Sequence, residues 1–138
     1  MKVYFITGTD TDVGKTVVTQ SVLQHLADKG LKTLAMKPVA SGCEWDGTRW
    51  INADATNARR HMTLDCDYGL TNPFAFEPAI APHIAAQEAD VSFSLEDMLQ
   101  HFKRLVALNP DVIVVEGAGG WLLPLSDQLM MPEFVKAI

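Results

Sequence analysis

The sequence predicts an α/β fold with a mainly parallel sheet flanked by helices, and two patterns carry this prediction. In the amino-terminal third, a β-rich run at 3–7, a glycine-containing turn, a helical pattern at 15–29 and an apolar run at 33–39 follow one another. Strand, helix and strand in this order form the βαβ unit of a parallel sheet. Farther along, the apolar run at 111–116 is typical of a buried strand and ends in the carboxylate of Glu116.

The composition is that of an ordinary globular protein. The 138 residues are 48% hydrophobic and 20% charged, and the mean hydropathy is +0.08. This length suits one domain over 1–138 with a single core. The chain carries 11 Lys and Arg against 17 Asp and Glu, a net charge of −6, which argues against a nucleic-acid-binding surface.

The sequence also restricts the expected location and partners of the protein. No apolar run approaches the roughly 20 residues that a membrane-spanning helix needs. Cys43 and Cys66 belong to no metal-binding or redox motif, which fits a reducing compartment. We therefore expect a cytoplasmic protein that binds neither nucleic acid nor membrane.

The first helix and second strand have clear ends in the sequence. The apolar stripe at 18–26 has helical spacing, and Gly30 supplies the left-handed residue that ends a helix. Pro38 ends the second strand in effect. Residues 40–91 are less regular, so we expect loops and short helices there, including a helix from Asn52 to about His61.

A second amphipathic helix precedes the third strand. Ser94 is a good N-cap, Phe93 and Met98 stand at the positions of a hydrophobic staple, and Asn109-Pro110 ends the helix. The strand at 111–116 follows, and 132–138 has the pattern of a helix start. Three strands fall short of the usual five or six, so the fold is predicted to be truncated at the C-terminus.

The strongest chemical signal is the loop between the first strand and the first helix. It reads Gly8-Thr9-Asp10-Thr11-Asp12-Val13-Gly14-Lys15-Thr16, with five residues between the glycines where the strict phosphate-loop pattern has four. Backbone N–H groups at a helix N-terminus attract phosphate oxygens, Lys15 adds a full charge, and the Thr16 hydroxyl can ligate Mg²⁺. The context predicts a P-loop NTPase.

Two further segments lie where ligands gather in α/β sheets, beyond the carboxyl ends of strands. Lys37 opens the segment K-P-V-A-S-G, and Glu116 opens E-G-A-G-G. Lys37 suits charge on a transferring phosphoryl group, although a solvated strand-end lysine is also compatible with the pattern. Glu116 stands where P-loop enzymes place a carboxylate for Mg²⁺. By pattern alone, Asp54 is only a first-turn carboxylate that favours the helix dipole.

In combination, G-T-D-T-D-V-G-K-T, K-P-V-A-S-G and V-E-G-A-G-G-W resemble the dethiobiotin synthetase family over essentially the whole chain. The resemblance implies an ATP- and Mg²⁺-dependent cyclo-ligase that acts on diaminopelargonate and CO₂. In that reaction the diamine forms a carbamate, ATP phosphorylates it, and the second amine closes the cyclic urea of dethiobiotin with release of ADP and phosphate. The family also implies a homodimer and chains that continue beyond Ile138.

The resemblance assigns roles to particular residues. Lys37, Lys15 and Thr11 would be catalytic, and Ser41, Thr11 and Lys37 would bind the substrate. Thr16, Asp54 and Glu116 would surround the metal. ATP binding would involve Asp12, Val13, Gly14, Lys15, Thr16, Val17, Asp54, Glu116, Gly117, Ala118 and Gly119.

The sequence also departs from the family pattern, and other functions remain open. Asp12 stands where the family often has Glu, and the loop at 43–51 carries Trp45 and Trp50, which we expect to pack in the loop rather than stack on a base. An amidase-type enzyme that activates a carboxylate would share the phosphate loop. A partition ATPase on DNA or membrane would place a second lysine early in the loop, where this chain has Asp10. A truncated chain that retains only phosphate binding is a further alternative.

Overall fold

The computed structural model describes all 138 residues. The chain forms seven strands and six helices. In order they are β1 (Lys2–Ile6), α1 (Lys15–Asp28), β2 (Thr33–Met36), β3 (Val39–Ala40), β4 (Glu44–Trp45), β5 (Trp50–Ile51), α2 (Ala53–Arg59), α3 (Tyr68–Thr71), β6 (Phe74–Ala75), α4 (Pro82–Glu88), α5 (Leu95–Val106), β7 (Val112–Glu116) and α6 (Met131–Ala137).

The three longest strands form the central sheet, in the order β1-β7-β2 with every pair parallel. This confirms the predicted parallel sheet. Ile6 pairs with Glu116 and Met36 pairs with Val115, so all three strands end at one edge of the sheet. The segments that follow them therefore meet at that edge.

Helices cover both faces of the sheet, and the alternating side chains of β7 show why this strand is apolar throughout. Val112 and Val114 pack with Leu23 of α1 and Ala58 of α2. The neighbouring positions of β7 point to the larger core on the other face. That core includes Ile113, Val115, Met98, Phe102, Leu105 and Phe134, which brings α5 and α6 against the sheet. A strand buried on both sides has no polar alternation, as the sequence pattern of β7 indicated.

The second strand is shorter than predicted. Instead of one strand over 33–39, β2 ends at Met36 and β3 pairs with β6 in a separate parallel sheet of two strands. The main-chain N–H of Lys37 donates to the carbonyl of Thr71 at 2.7 Å, and Pro38 has no N–H to continue a ladder. The chain consequently leaves the central sheet at Lys37.

Most predicted helix ends are confirmed. Asn52 is the N-cap of α2, Ser94 is the N-cap of α5, and Gly30 follows α1 with φ +74°. A capping box between Ser94 and Asp97 also starts α5, and the two Ser94 hydrogen bonds hold the pKa of Asp97 below its usual value. The tail helix is present as α6.

Region 40–91 contains the predicted short helices together with short strands that were not predicted. β4 and β5 form an antiparallel hairpin, on which the rings of Trp45 and Trp50 pack edge to face with centroids 5.3 Å apart. Trp45 and Trp50 thus contact each other on the hairpin. None of the helices is both long and apolar enough to cross a membrane.

Candidate active site

The phosphate-binding loop connects β1 to α1 and has the backbone of an anion site. Gly14 is the N-cap of α1, with φ +100°, and no side chain accepts from the first N–H groups of the helix. A residue with a Cβ is strained at this φ, which explains the glycine. Lys15 is buried, and its Nζ donates to the carbonyl of Asp10, so the lysine closes the loop on itself.

Lys37 lies between two carboxylates at the edge where the central strands end. Its Nζ is 2.7 Å from Oδ2 of Asp54 and 2.8 Å from Oε1 of Glu116. The Thr16 hydroxyl donates to the same Oε1 at 3.0 Å. Lys37 lies where the chain leaves the central sheet, Asp54 lies in the first turn of α2, and Glu116 is the last residue of β7. The fold thus brings these three residues together from distant parts of the sequence.

Burial differs across this cluster and sets its electrostatics. The side chains of Lys37 and Glu116 are 7% and 2% exposed, whereas that of Asp54 is 40% exposed. Burial raises the pKa of Asp54, but the Lys37 charge and its hydrogen bond outweigh this, and the net pKa is below the usual value. Asp54 is therefore a carboxylate at neutral pH.

The residues of this cluster fit a magnesium ion. Oε2 of Glu116 is buried and has no hydrogen-bond partner, which is unusual for a buried polar atom. Mg²⁺ is held through one or two carboxylates, with water and substrate phosphates as its other ligands. Glu116, Asp54 and the Thr16 hydroxyl offer such a partial set, and no group of three or more His, Cys, Asp or Glu forms a complete protein cage.

A cavity of about 350 Å³ joins the loop to this cluster. All of the predicted site residues except Val13 and Gly117 line it. The lining is Thr11, Asp12, Gly14, Lys15, Thr16, Val17, Lys37, Ala40, Ser41, Asn52, Asp54, Glu116, Ala118 and Gly119. The lysines, the hydroxyls and the carboxylates consequently face one shared space.

Val13 and Gly117 do not line the cavity, and each contacts neighbouring parts of the protein instead. A Cβ on Gly8 would meet Cγ2 of Val13 at 2.6 Å, so the Val13 side chain lies over Gly8. The Gly117 N–H donates to the carbonyl of Ile6 at 3.0 Å, and a Cβ there would be 3.0 Å from the Phe5 ring. The ATP contacts predicted for both residues remain predictions.

Two lining residues, Asn52 and Ala40, were not predicted. The Asn52 side chain accepts from the N–H of Ala55 and caps α2, while its own N–H donates to the Tyr68 hydroxyl at 2.8 Å. The sequence predicted that a helix starts at Asn52. Its position at the cavity was not predicted, because it depends on how α2 packs beside the sheet.

A strand followed by a phosphate loop, a helix with an uncapped N-terminus, and a hydroxyl beside a strand-end carboxylate define a P-loop NTPase fold. The family model described as "AAA domain" matches residues 2–138, and the chain belongs to this family.

Curated relatives extend the comparison. The chain is 45% identical over 138 residues to a protein of Idiomarina loihiensis named ATP-dependent dethiobiotin synthetase BioD, covering 100% of this chain and 62% of the relative. Proteins with the same name from Pseudoalteromonas translucida and Vibrio campbellii are each 45% identical, covering 60% and 58% of those relatives. The chain thus spans about 60% of the length of the curated relatives it matches.

Proposed function

We propose that these residues form the ATP- and magnesium-binding part of a dethiobiotin synthetase, which acts on diaminopelargonate and CO₂. One observation carries the proposal: Lys37 faces the same cavity as the phosphate loop and lies within hydrogen-bond distance of Asp54 and Glu116. A phosphate loop alone supports any nucleotide hydrolase. A second buried lysine beside it supports transfer to an acceptor that carries its own negative charge. The name of the relatives, ATP-dependent dethiobiotin synthetase, supports the choice of this class of enzyme.

The proposed reaction needs positioning and charge stabilisation rather than a protein nucleophile. One amine of the diamine attacks CO₂ and loses a proton, which gives a carbamate. A carbamate oxygen attacks the γ-phosphorus of ATP, and the bond to ADP breaks. The second amine then attacks the carbamate carbon, phosphate leaves, and a proton is lost as the urea ring closes.

The chain's own groups suit these steps. Lys15 would meet the β- and γ-phosphate oxygens, and Lys37 would meet charge on the carbamate and the phosphoryl group. Thr11 and Ser41 line the cavity and would donate to or accept from the diamine. Asp12, Ala118 and Gly119 would lie against the nucleotide. Thr16, Asp54 and Glu116 would hold Mg²⁺, which when bound neutralises phosphate charge.

The test is phosphate release by the protein that carries these residues, with ATP, Mg²⁺, bicarbonate and diaminopelargonate omitted in turn. We expect release to depend on the diamine. Lys37→Ala is expected to reduce ring closure by about 10²- to 10³-fold, the usual loss when a charge-stabilising group is removed, while nucleotide binding is retained. Lys32→Ala, at the other end of β2, is the matched control.

Two outcomes would contradict the proposal. Phosphate release that is independent of the diamine would remove the substrate assignment. Near-normal product formation by Lys37→Ala would remove Lys37 from the reaction. The homodimer implied by the resemblance remains a prediction, as does the absence of nucleic-acid partners.

A further inference from the structure

The Lys37 ammonium occupies the space between the carboxylates that would ligate the metal. Its Nζ hydrogen-bonds Oδ2 of Asp54 at 2.7 Å and Oε1 of Glu116 at 2.8 Å. The Thr16 hydroxyl shares that Oε1 at 3.0 Å. Oε2 of Glu116 is not bonded to the lysine, but a cation held by both carboxylates would still lie directly beside Nζ.

An ammonium and a divalent cation that share the same two carboxylates would weaken each other's binding. Mg²⁺ binds oxygen at about 2.0–2.1 Å with near-octahedral geometry, which draws its ligands closer than a hydrogen bond does. The Nζ in contact with the same two carboxylates would also repel the incoming ion, and with only one of the carboxylates substantially exposed this repulsion is weakly screened. Lys37 and the metal are thus competitors for Asp54 and Glu116.

We propose that, in the nucleotide-free site, the Lys37 ammonium replaces the metal as the cation that neutralises Asp54 and Glu116. Metal binding then displaces this ammonium from the two carboxylates into the cavity. The inference rests on the metal site of the proposed function. It assigns Lys37 a second role, as the residue that keeps the metal position closed. The lysine charge would then become free for the phosphoryl and carbamate oxygens only once a metal had taken its place.

The main chain of Lys37 is held in a way that leaves the side chain as the moving part. Its N–H donates to the carbonyl of Thr71 at 2.7 Å, and its carbonyl accepts from Nδ2 of Asn72 at 2.8 Å. Pro38 follows directly and restricts the backbone further. Lys37 and Ser41 line the same cavity, so rotation about the lysine's side-chain bonds carries Nζ into space that is already open.

Binding of Mn²⁺ to the nucleotide-free chain tests the competition, with free Mn²⁺ followed by electron paramagnetic resonance. Lys37→Met removes the charge and keeps an unbranched side chain. Because the competitor is gone, we expect Mn²⁺ to bind this variant at least about tenfold more tightly than the native chain, which corresponds to about 1.4 kcal/mol. Lys32→Met makes the same charge change at the exposed opposite end of β2 and should leave Mn²⁺ affinity unaltered.

A second variant addresses folding, since Lys37→Met leaves a buried carboxylate without its partner. Lys37→Gln keeps a donor for Glu116 without the charge, and the same gain in Mn²⁺ affinity is expected. Thermal unfolding with and without Mn²⁺ should show a larger stabilisation by the metal in either variant than in the native chain.

Mn²⁺ affinity and metal-induced stabilisation that are equal to or weaker than native in both variants would overturn the inference. Neither measurement contains ATP or diamine, so this failure is distinguishable from a failure of the proposed reaction. Conversely, a protein that binds Mn²⁺ as expected but does not consume diaminopelargonate would leave the competition intact and remove the substrate.

Discussion

A relay of side-chain hydrogen bonds links the cavity wall to the main chain of Lys37. The Tyr68 hydroxyl accepts from the N–H of Asn52 at 2.8 Å and donates to Oδ1 of Asn72 at 3.3 Å. The amide of Asn72 then donates to the carbonyl of Lys37. Burial raises the pKa of the Tyr68 hydroxyl, so it remains a donor across the neutral range. The hydrogen bonds of Tyr68 and Asn72 thus hold the main chain of Lys37 in place.

Tyr68→Phe removes the shared hydroxyl and leaves the N–H of Asn52 without its acceptor. We expect the free energy of unfolding to fall by about 1–2 kcal/mol, the cost of an unmade buried hydrogen bond. Urea unfolding followed by circular dichroism measures it. Tyr4→Phe is the control, because Tyr4 is exposed on β1. Equal stability of the Tyr68 variant and the control would show that the relay contributes nothing.

At the scale of elements, aromatic side chains pack α5 against the two-stranded sheet of β3 and β6. The Phe74 ring of β6 stacks on Phe93 with centroids 4.2 Å apart, and it packs edge to face with the ring of His101 with centroids 5.6 Å apart. Nδ1 of His101 is buried and has no hydrogen-bond partner. Burial, aided by the nearby Arg104 charge and opposed by Asp97, lowers the pKa of His101. The fold therefore favours the neutral imidazole.

This pKa shift predicts how stability changes with pH. As the pH falls below the ordinary histidine value of about 6.5, the unfolded chain binds a proton that the folded chain resists, so the free energy of unfolding decreases. Urea unfolding at pH 7.5 and pH 5.5 should show a smaller decrease in His101→Gln than in the native chain. His25→Gln, on the exposed face of α1, is the control. An identical decrease in both variants would contradict the prediction.

At the scale of the molecule, α5 and α6 cover the face of the central sheet opposite α1. Phe134 of α6 is fully buried and contacts Phe102 edge to face, with centroids 6.4 Å apart. It lies in the same apolar cluster as Ile113 and Val115 of β7. The helix that ends the described chain is thus part of the main core.

Phe134→Ala should therefore be costly. Removing a buried phenyl group loses its transfer free energy and leaves a cavity, for an expected destabilisation of about 3–5 kcal/mol. Chemical unfolding measures the loss. Leu122→Ala is the control, because Leu122 is 70% exposed and its truncation should change stability by no more than about 0.5 kcal/mol. A similar small change in both variants would show that α6 does not contribute to the core.

Long elements with a clear period were predictable from the sequence, and short ones were not. The strand before the phosphate loop and the strand that ends in Glu116 have apolar runs bounded by turn residues. β3 and β6 have two residues each, too few for any period to show, and their pairing depends on a tertiary contact. The strand predicted over 33–39 is present over Thr33–Met36 and was too long, because the N–H of Lys37 bonds the carbonyl of Thr71 instead of the central sheet.

The candidate site was likewise predictable from the sequence only in part. The phosphate loop is contiguous and carries its own signal, whereas the approach of Lys37 to Asp54 and Glu116 depends on the topology of the sheet. Asp54 entered the prediction through family resemblance, since its pattern alone indicated a helix start. Asn52 was not predicted as a cavity residue because its place there depends on how α2 packs beside the sheet.

Because the start of α1 is uncapped, the stability of its first turn is coupled to the binding of a ligand there. Ser94 completes the first turn of α5 with its own side chain, but Gly14 offers α1 no such acceptor. A nucleotide phosphate on those N–H groups would serve as the missing cap and would be supplied from solution rather than by the sequence. The stability of the first turn of α1 would then depend on the occupancy of the nucleotide site. At a nucleotide concentration 100 times the Kd, mass action adds about 2.7 kcal/mol to the folded state.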